Sequence, residues 1–198
     1  MGSAYIVEPA DADRAEVEAF VRAVYAREHG ARVGRLASRL LCRRGARDEI
    51  VCAAGLRLPA DGFFSERYLD QPVEAALARA SGRSLRRDDV YEVTTLASRS
   101  PRDLPAFIDD IIGFGARQGL SWCFFTLTRR LSLLVRRRGL GPIPLGDADP
   151  RRVRDAASWG RYYETEPKVY GVCGVDLLNA RTKALSSGAP AMPHAHLL

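Results

Sequence analysis

Lysine is nearly missing from this chain. Of 30 basic residues only Lys168 and Lys183 are lysines; the net charge of +6 is carried by arginine. Those arginines are scattered. No helix-turn-helix, zinc finger or aromatic–basic interleave accompanies them, so nucleic acid is not the expected partner. An acidic protein steered by charge fits the balance better. Histidine is scarce: His29, His194 and His196, two of them near the C-terminus. A histidine-based metal centre or catalytic triad is therefore not expected. The four cysteines (Cys42, Cys52, Cys123, Cys173) lack zinc or CxxC spacing and sit among apolar neighbours, as buried reduced thiols do. No stretch reaches the roughly 18 consecutive apolar residues of a membrane span. The N-terminus turns acidic early and has no basic flank before an apolar core, so no signal peptide is expected and the cytoplasm is the expected location. Glycine is absent from SRSPRDLPAF (98–107), which carries Pro101 and Pro105 instead.

What is present is an alternation of strands and helices. AYIV reads as a first strand. The helix after it is capped by Asp11 or Asp13, buries Val17, Phe20, Val21, Val24 and Tyr25, and ends near Gly30. RLLCRR, GARD and EIVCAAGLRL read as a β-hairpin. FFSERYLDQPVEAALARASG reads as a loop entering a helix, with Asp70 as cap, Pro72 in the first turn and Gly82 at the end. DVYEVTTLAS is strongly β-forming. Leu104, Phe107, Ile108, Ile111, Ile112 and Gly115 recur at spacings of three and four, which predicts an amphipathic helix. SWCFFTLT is a buried strand, RRLSLLVRRRG a helix ending at Gly139, and PIPLG a short strand. Asp149-Pro150 predicts a helix through Trp159, before a last strand in PKVYGVCGVDLL. The fold class is α/β, a twisted mixed sheet with helices on both faces. One domain is expected over 1–178, with a flexible tail over 179–198 that is rich in small residues and proline.

Two features stand out chemically. Glu92 interrupts a strand of β-branched and aromatic residues, where a carboxylate is costly unless paired or functional. It is a general base or an anchor for a substrate ammonium, or it is the partner of an arginine. Thr94 and Thr95 follow on the same strand and offer hydroxyls. The second feature is FFSERYLDQPVE, which packs Glu66, Tyr68, Asp70, Gln71 and Glu74 into nine positions. These residues receive an amine substrate, or Asp70 caps the following helix and Glu74 complements its positive end, a reading that leaves Glu66 and Tyr68 without a role. Trp159, Tyr162 and Tyr163 line an acyl pocket or pack a helix.

The order of elements resembles the GNAT acyltransferases. The middle of the chain resembles the acyl-homoserine lactone synthases within that superfamily, through Tyr91-Glu92-Val93-Thr94-Thr95, then Thr126, Gly139, Leu145 and Gly146. Thr95 stands where those synthases carry arginine. A third resemblance runs from about Arg22 to Tyr170 and is to the thermostable hemolysin family. It rests on Tyr68-Leu69-Asp70-Gln71-Pro72-Val73-Glu74, on Glu92-Val93 with Leu96-Ala97, and on Trp159-Gly160-x-Tyr162-Tyr163 followed by Pro167 and Val169. The GNAT-like resemblance implies acyl transfer from a phosphopantetheine thioester to an amine, either an amino acid or a metabolite such as S-adenosylmethionine. Glu92 and Thr95 would then be catalytic, and Thr94, Thr126, Glu66, Tyr68, Asp70, Gln71, Glu74, Trp159, Tyr162 and Tyr163 would bind substrate. The family name implies red-cell lysis, hence an alternative reading as a membrane-active protein without catalysis. The helix over Leu104–Gln118 argues against that alternative: its polar face carries Asp103, Asp109 and Asp110 against Arg117, the wrong sign for anionic lipid.

In a typical GNAT enzyme the strand-to-helix turn cradles the pyrophosphate of coenzyme A with exposed amides. Two prolines remove two such donors here and leave Arg99 and Arg102 to meet a single phosphate. The expected donor is therefore an acidic acyl carrier protein ahead of acyl-CoA. No permanently bound cofactor and no metal are expected.

Overall fold

The fold was taken from a computed structural model, which describes residues 4–137 and 139–176. The expected tail over 179–198 lies outside the described residues. Seven strands form one sheet in the order β1-β2-β3-β4-β5-β7-β6. They are β1 (Tyr5–Val7), β2 (Arg39–Arg44), β3 (Ile50–Arg57), β4 (Val90–Ser98), β5 (Trp122–Leu127), β6 (Ile143–Asp147) and β7 (Lys168–Cys173). The pair β4–β5 is parallel and all other pairs are antiparallel. Among the described residues the sheet is covered by α1 (Arg14–His29), α2 (Val73–Ser81), α3 (Leu104–Arg117) and α4 (Arg129–Arg137). No helix among the described residues is long and apolar enough to cross a membrane.

Alternation along the strands sends side chains to two cores. Leu41, Cys52, Ala54, Leu56, Tyr91, Val93 and Cys123 meet the apolar stripes of α3 and α4. On the other face Val7, Leu40, Cys42, Ala53 and Ala97 meet α1, while Val90, Phe124 and Val169 meet α2. The hairpin β2–β3, the amphipathic α3 and the glycine ends of α1 (Gly30) and α2 (Gly82) stand where the sequence places them.

Three local expectations need correction. Asp13 holds the N-cap position of α1, but neither Asp11 nor Asp13 caps the helix with its side chain: the Asp11 carboxylate accepts the Glu8 amide, and the Asp13 carboxylate accepts the Tyr5 hydroxyl. Asp70 does not cap α2. Its carboxylate pairs with Arg152, and the Glu66 carboxylate accepts the Val73 amide at 2.9 Å instead. The helix expected over 149–159 is two short 3₁₀ turns, Pro150–Arg152 and Ala156–Trp159, with a third at Tyr162–Thr165. Val153 breaks the run by turning extended and burying its side chain in the α2 core. Aromatic docking then fixes the rest.

Two irregularities open the sheet. The β4–β5 ladder stops at Val93 and Phe125, although β4 continues along β3 and β5 continues along β7. At the same level Thr94 pairs with Gly55 and Ala97 pairs with Ala53, so two β4 residues oppose Ala54 alone. This is a bulge. Thr95 sits in it at φ +45°, a conformation that a β-branched residue adopts only under strain. Gly55 is needed opposite, because a β-carbon there would collide with the Thr94 hydroxyl.

Candidate active site

A cleft of about 140 Å³ lies where β4 and β5 part, and it is lined from both faces of the sheet. On the α3/α4 side the lining is apolar: Ile108, Ile111, Phe125, Leu127, Val135 and Leu140. On the α1 side it is aromatic and polar: Tyr25, Arg57, Ser65, Tyr68, Trp159 and Tyr162, with Thr94, Thr95 and Thr126 at the parting itself.

The aromatic wall is built by short-range order. Trp159 packs against Tyr25, Phe64 and Tyr162. The Tyr162 ring meets His29 edge-on, and its hydroxyl donates to the Thr126 carbonyl at 3.3 Å. Gly160 makes this possible. It has φ +55°, and a β-carbon there would strike the backbone of His29 and Gly30 at the end of α1. Tyr163 stands behind the wall, with its hydroxyl 2.7 Å from that of Tyr68. Burial, reinforced by this contact, pushes the Tyr68 hydroxyl well above the usual phenol range.

Glu92 is fully buried (0% exposed) and does not itself line the cleft. One carboxylate oxygen accepts the Phe64 amide and the other the Ser65 amide, each at 2.6 Å. Burial raises its pKa above the ordinary 4.5; the Ser65 hydroxyl, the two amides and the charge of Arg57 oppose that rise in part. The Ser65 hydroxyl in turn accepts from the Thr126 hydroxyl at 2.9 Å. A line of hydroxyls thus connects the buried carboxylate to the cleft through Ser65 and Thr126.

The structure brings Tyr68, Thr94, Thr95, Thr126, Trp159 and Tyr162 together around the cleft. It sets Glu66, Asp70, Gln71 and Glu74 apart from it. Glu66 takes Arg87 in a bidentate pair (2.6 and 2.9 Å), which holds its carboxyl below the usual range, and Glu74 shares the same guanidinium at 3.0 Å. Arg99 and Arg102 also lie off the cleft, on the turn before α3. The Arg99 side chain donates to the Ile50 carbonyl, and Arg102 is exposed. Three amides of that turn are spent within the protein: Arg99 on the Val51 carbonyl, Arg102 on the Ser100 hydroxyl and Asp103 on the Ser100 carbonyl.

Sequence reasoning missed Tyr25, Arg57 and Ser65. Arg57 carried a signal, being an arginine at the end of the apolar run IVCAAGL. It is also the register partner of Glu92. Ser65 carried none, since its role comes from a contact 27 residues away. Among the described residues no cluster of histidine, cysteine, aspartate and glutamate is placed to hold a metal ion.

Solved structures share this architecture. The apo form of TofI aligns at a TM-score of 0.59 with 14% identity, covering 90% of this chain and 97% of that one. FeeM, an N-acyl amino acid synthase from uncultured soil microbes, aligns at 0.54 with 14% identity, covering 90% and 98%. MesI, a CoA-dependent acyl-homoserine lactone synthase, aligns at 0.52 with 12% identity, covering 98% and 100%. At such identities the likeness establishes the fold, which is GNAT-like. No curated protein sequence matches the chain. The family model for thermostable hemolysin matches residues 7–176, from the last residue of β1 through β7 and including the aromatic wall, and the chain belongs to that family.

Proposed function

We propose that this protein is an N-acyltransferase that moves an acyl group from a phosphopantetheine thioester to the amine of an amino acid or a related metabolite. One observation carries this reading: a single cleft at the parting of β4 and β5 has an apolar half and a polar aromatic half. The apolar half suits an acyl chain. The polar half suits an amine-bearing acceptor. The strained bulge lies between them, where a thioester carbonyl would sit. FeeM and MesI carry names of the same kind, N-acyl amino acid synthase and acyl-homoserine lactone synthase.

The reaction asks three things of the site. The substrates must be held together, the carbonyl oxygen must be stabilised as it gains charge, and a proton must leave the nitrogen. The amine attacks the thioester carbon, a C–N bond forms, the C–S bond breaks and the thiolate takes up a proton. Thr95 presents a buried hydroxyl that has no protein partner, a donor for the developing oxyanion. The amine's proton passes to the Thr126 hydroxyl and through Ser65 to Glu92, and the departing thiolate takes it up by the same hydroxyls, which returns Glu92 to its starting state. In this reading Glu92 acts through other groups and does not touch substrate.

The proline turn and its internally spent amides favour an acyl carrier protein over free acyl-CoA as donor, with Arg99 and Arg102 on the side it would approach. The test is the intact mass of an acylated carrier protein incubated with this protein, a pool of amino acids and S-adenosylmethionine. The expected result is acyl loss that depends on one acceptor and disappears in Glu92→Gln. No transfer from carrier or CoA to any amine would overturn the proposal.

A further inference from the structure

Buried side-chain donors nearly always find a partner within a folded protein. Among the described residues three buried side-chain polar atoms have no protein partner: Arg57 Nε, Thr95 Oγ1 and Trp159 Nε1. All three residues line the one cleft. Thr95 lies at the parting of the strands, but Arg57 and Trp159 belong to the polar aromatic half. Their open atoms are N–H groups, which can only donate. Elsewhere on the Arg57 guanidinium, Nη1 donates to the carbonyls of Asp61 and Gly62, both at 3.3 Å. Those contacts hold the group without neutralising it.

A permanent cation with a buried N–H that has no protein partner, and an indole N–H in the same condition on the same cleft, select for an anionic acceptor of hydrogen bonds. The transient oxyanion is a poorer match for Arg57, because a full cation there would also hold the ground state of any anionic ligand. The pantetheine amides are neutral, and the donor's phosphate, at the far end of that arm from the thioester, is left to the side of Arg99 and Arg102. The acyl chain has no polar atoms. The acceptor is the remaining component.

Resting on the acyltransferase reading above, we propose that the acceptor is an α-amino acid whose carboxylate is recognised by Arg57 Nε–H and Trp159 Nε1–H, with its side chain against Tyr25, Phe64 and Tyr68. Thr95 is left to the carbonyl. Amines of the same size without a carboxylate are then poor acceptors, because they leave the same two donors unpaired.

The test uses product-like ligands, so that it does not depend on turnover or on the order of substrate binding. N-decanoyl-phenylalanine and N-decanoyl-phenethylamine differ only by the carboxylate. Calorimetric titration of the full chain should show the carboxylate form binding at least about 30-fold more tightly, as expected for a charge-assisted pair. In Arg57→Gln that ratio should fall below about 3-fold, and in Trp159→Phe it should fall about 5-fold while the ring packing survives. Trp159→Phe serves as the second arm if Arg57→Gln fails to fold. Equal binding of the two ligands by the wild type would overturn the carboxylate site and leave the acyltransferase reading standing. A ratio unchanged in both variants would overturn the assignment to these residues. Binding of neither ligand would remove the acyltransferase reading and this inference together.

Discussion

The two walls of the cleft were made by the same sheet but finished differently. On the α3/α4 wall the side chains are apolar, all aliphatic but Phe125, and the polar groups beneath them are satisfied: the Tyr91 hydroxyl donates to the Ile111 carbonyl at 2.9 Å and the Ser132 hydroxyl to the Arg129 carbonyl at 2.8 Å. The parting and the aromatic wall hold a strained threonine, a buried carboxylate and three polar atoms without protein partners. Folding alone completes the first wall. The second is ordered, by aromatic packing and by a glycine in a forbidding conformation, yet its hydrogen bonding is incomplete. Strain and unmet polarity concentrate where function is. On the acyltransferase reading proposed above, the difference would separate a half-site that only accommodates from one that recognises and reacts.

The largest effect should come from breaking the aromatic wall at Gly160. Alanine there would drive a β-carbon into the backbone at the end of α1 and demand a positive φ. A stability loss of about 3 kcal/mol in denaturant titration is expected, with loss of turnover. A loss below about 1 kcal/mol would mean that the turn is not locked against α1 and that the wall is less ordered than its neighbour.

Glu92→Gln should come next, with a stability loss of about 2 kcal/mol, because the new amide group confronts one of the two backbone donors. Turnover should fall at least about 100-fold. The pH dependence distinguishes an anchor from a proton acceptor. Burial raises the folded-state pKa of Glu92 above its ordinary value of 4.5. A raised carboxyl contributes stability below the unfolded value and loses it as pH climbs through the folded one. The stability gap between wild type and variant should thus narrow as pH rises above 4.5. The rate should move oppositely, rising through the same raised pKa as the carboxylate ionises. A slow variant that kept the wild-type pH profile would reduce Glu92 to a post for the Phe64–Ser65 backbone.

These two positions also show how far the sequence could be read. Period-2 and period-3.6 patterns gave the strands and the long helices, because burial on one face writes itself into spacing. Glu92 was visible as a carboxylate in the wrong company. Its partners were not, because they are backbone amides, which every residue offers. Glu66 was misread for the related reason that Arg87, 21 residues on, has no fixed spacing to it. The 149–159 segment failed as a helix because Val153 and Trp159 answer to tertiary packing rather than to local propensity. The bulge at Thr95 left no trace in composition, since threonine in a strand is ordinary.

On the apolar wall the expected changes are smaller and concern selectivity. Val135→Phe would project extra volume from α4 into the cleft. The optimum acyl length should shorten, with turnover of the longest accepted chain falling about 10-fold. Short chains should be affected less than 3-fold, at a stability cost of about 1 kcal/mol. Acceptor preference should stay fixed. A change in acceptor preference instead would show that the two walls do not divide the substrates between them.

Arg102→Glu should have the smallest effect and sharpens the comparison from outside the cleft. The side chain is exposed on a turn whose amides are engaged elsewhere, so stability should change by less than about 0.5 kcal/mol. If an acidic carrier docks on this side, reversing the charge should cut the rate with acyl carrier protein about 5-fold at low salt, and the deficit should shrink as salt screens it. Acyl-CoA shares the phosphopantetheine phosphate but lacks the carrier's acidic surface. A deficit confined to the carrier places Arg102 at a protein interface. An equal deficit with both donors would place it at the phosphate that they have in common, and the turn would then recognise the arm and not the protein bearing it.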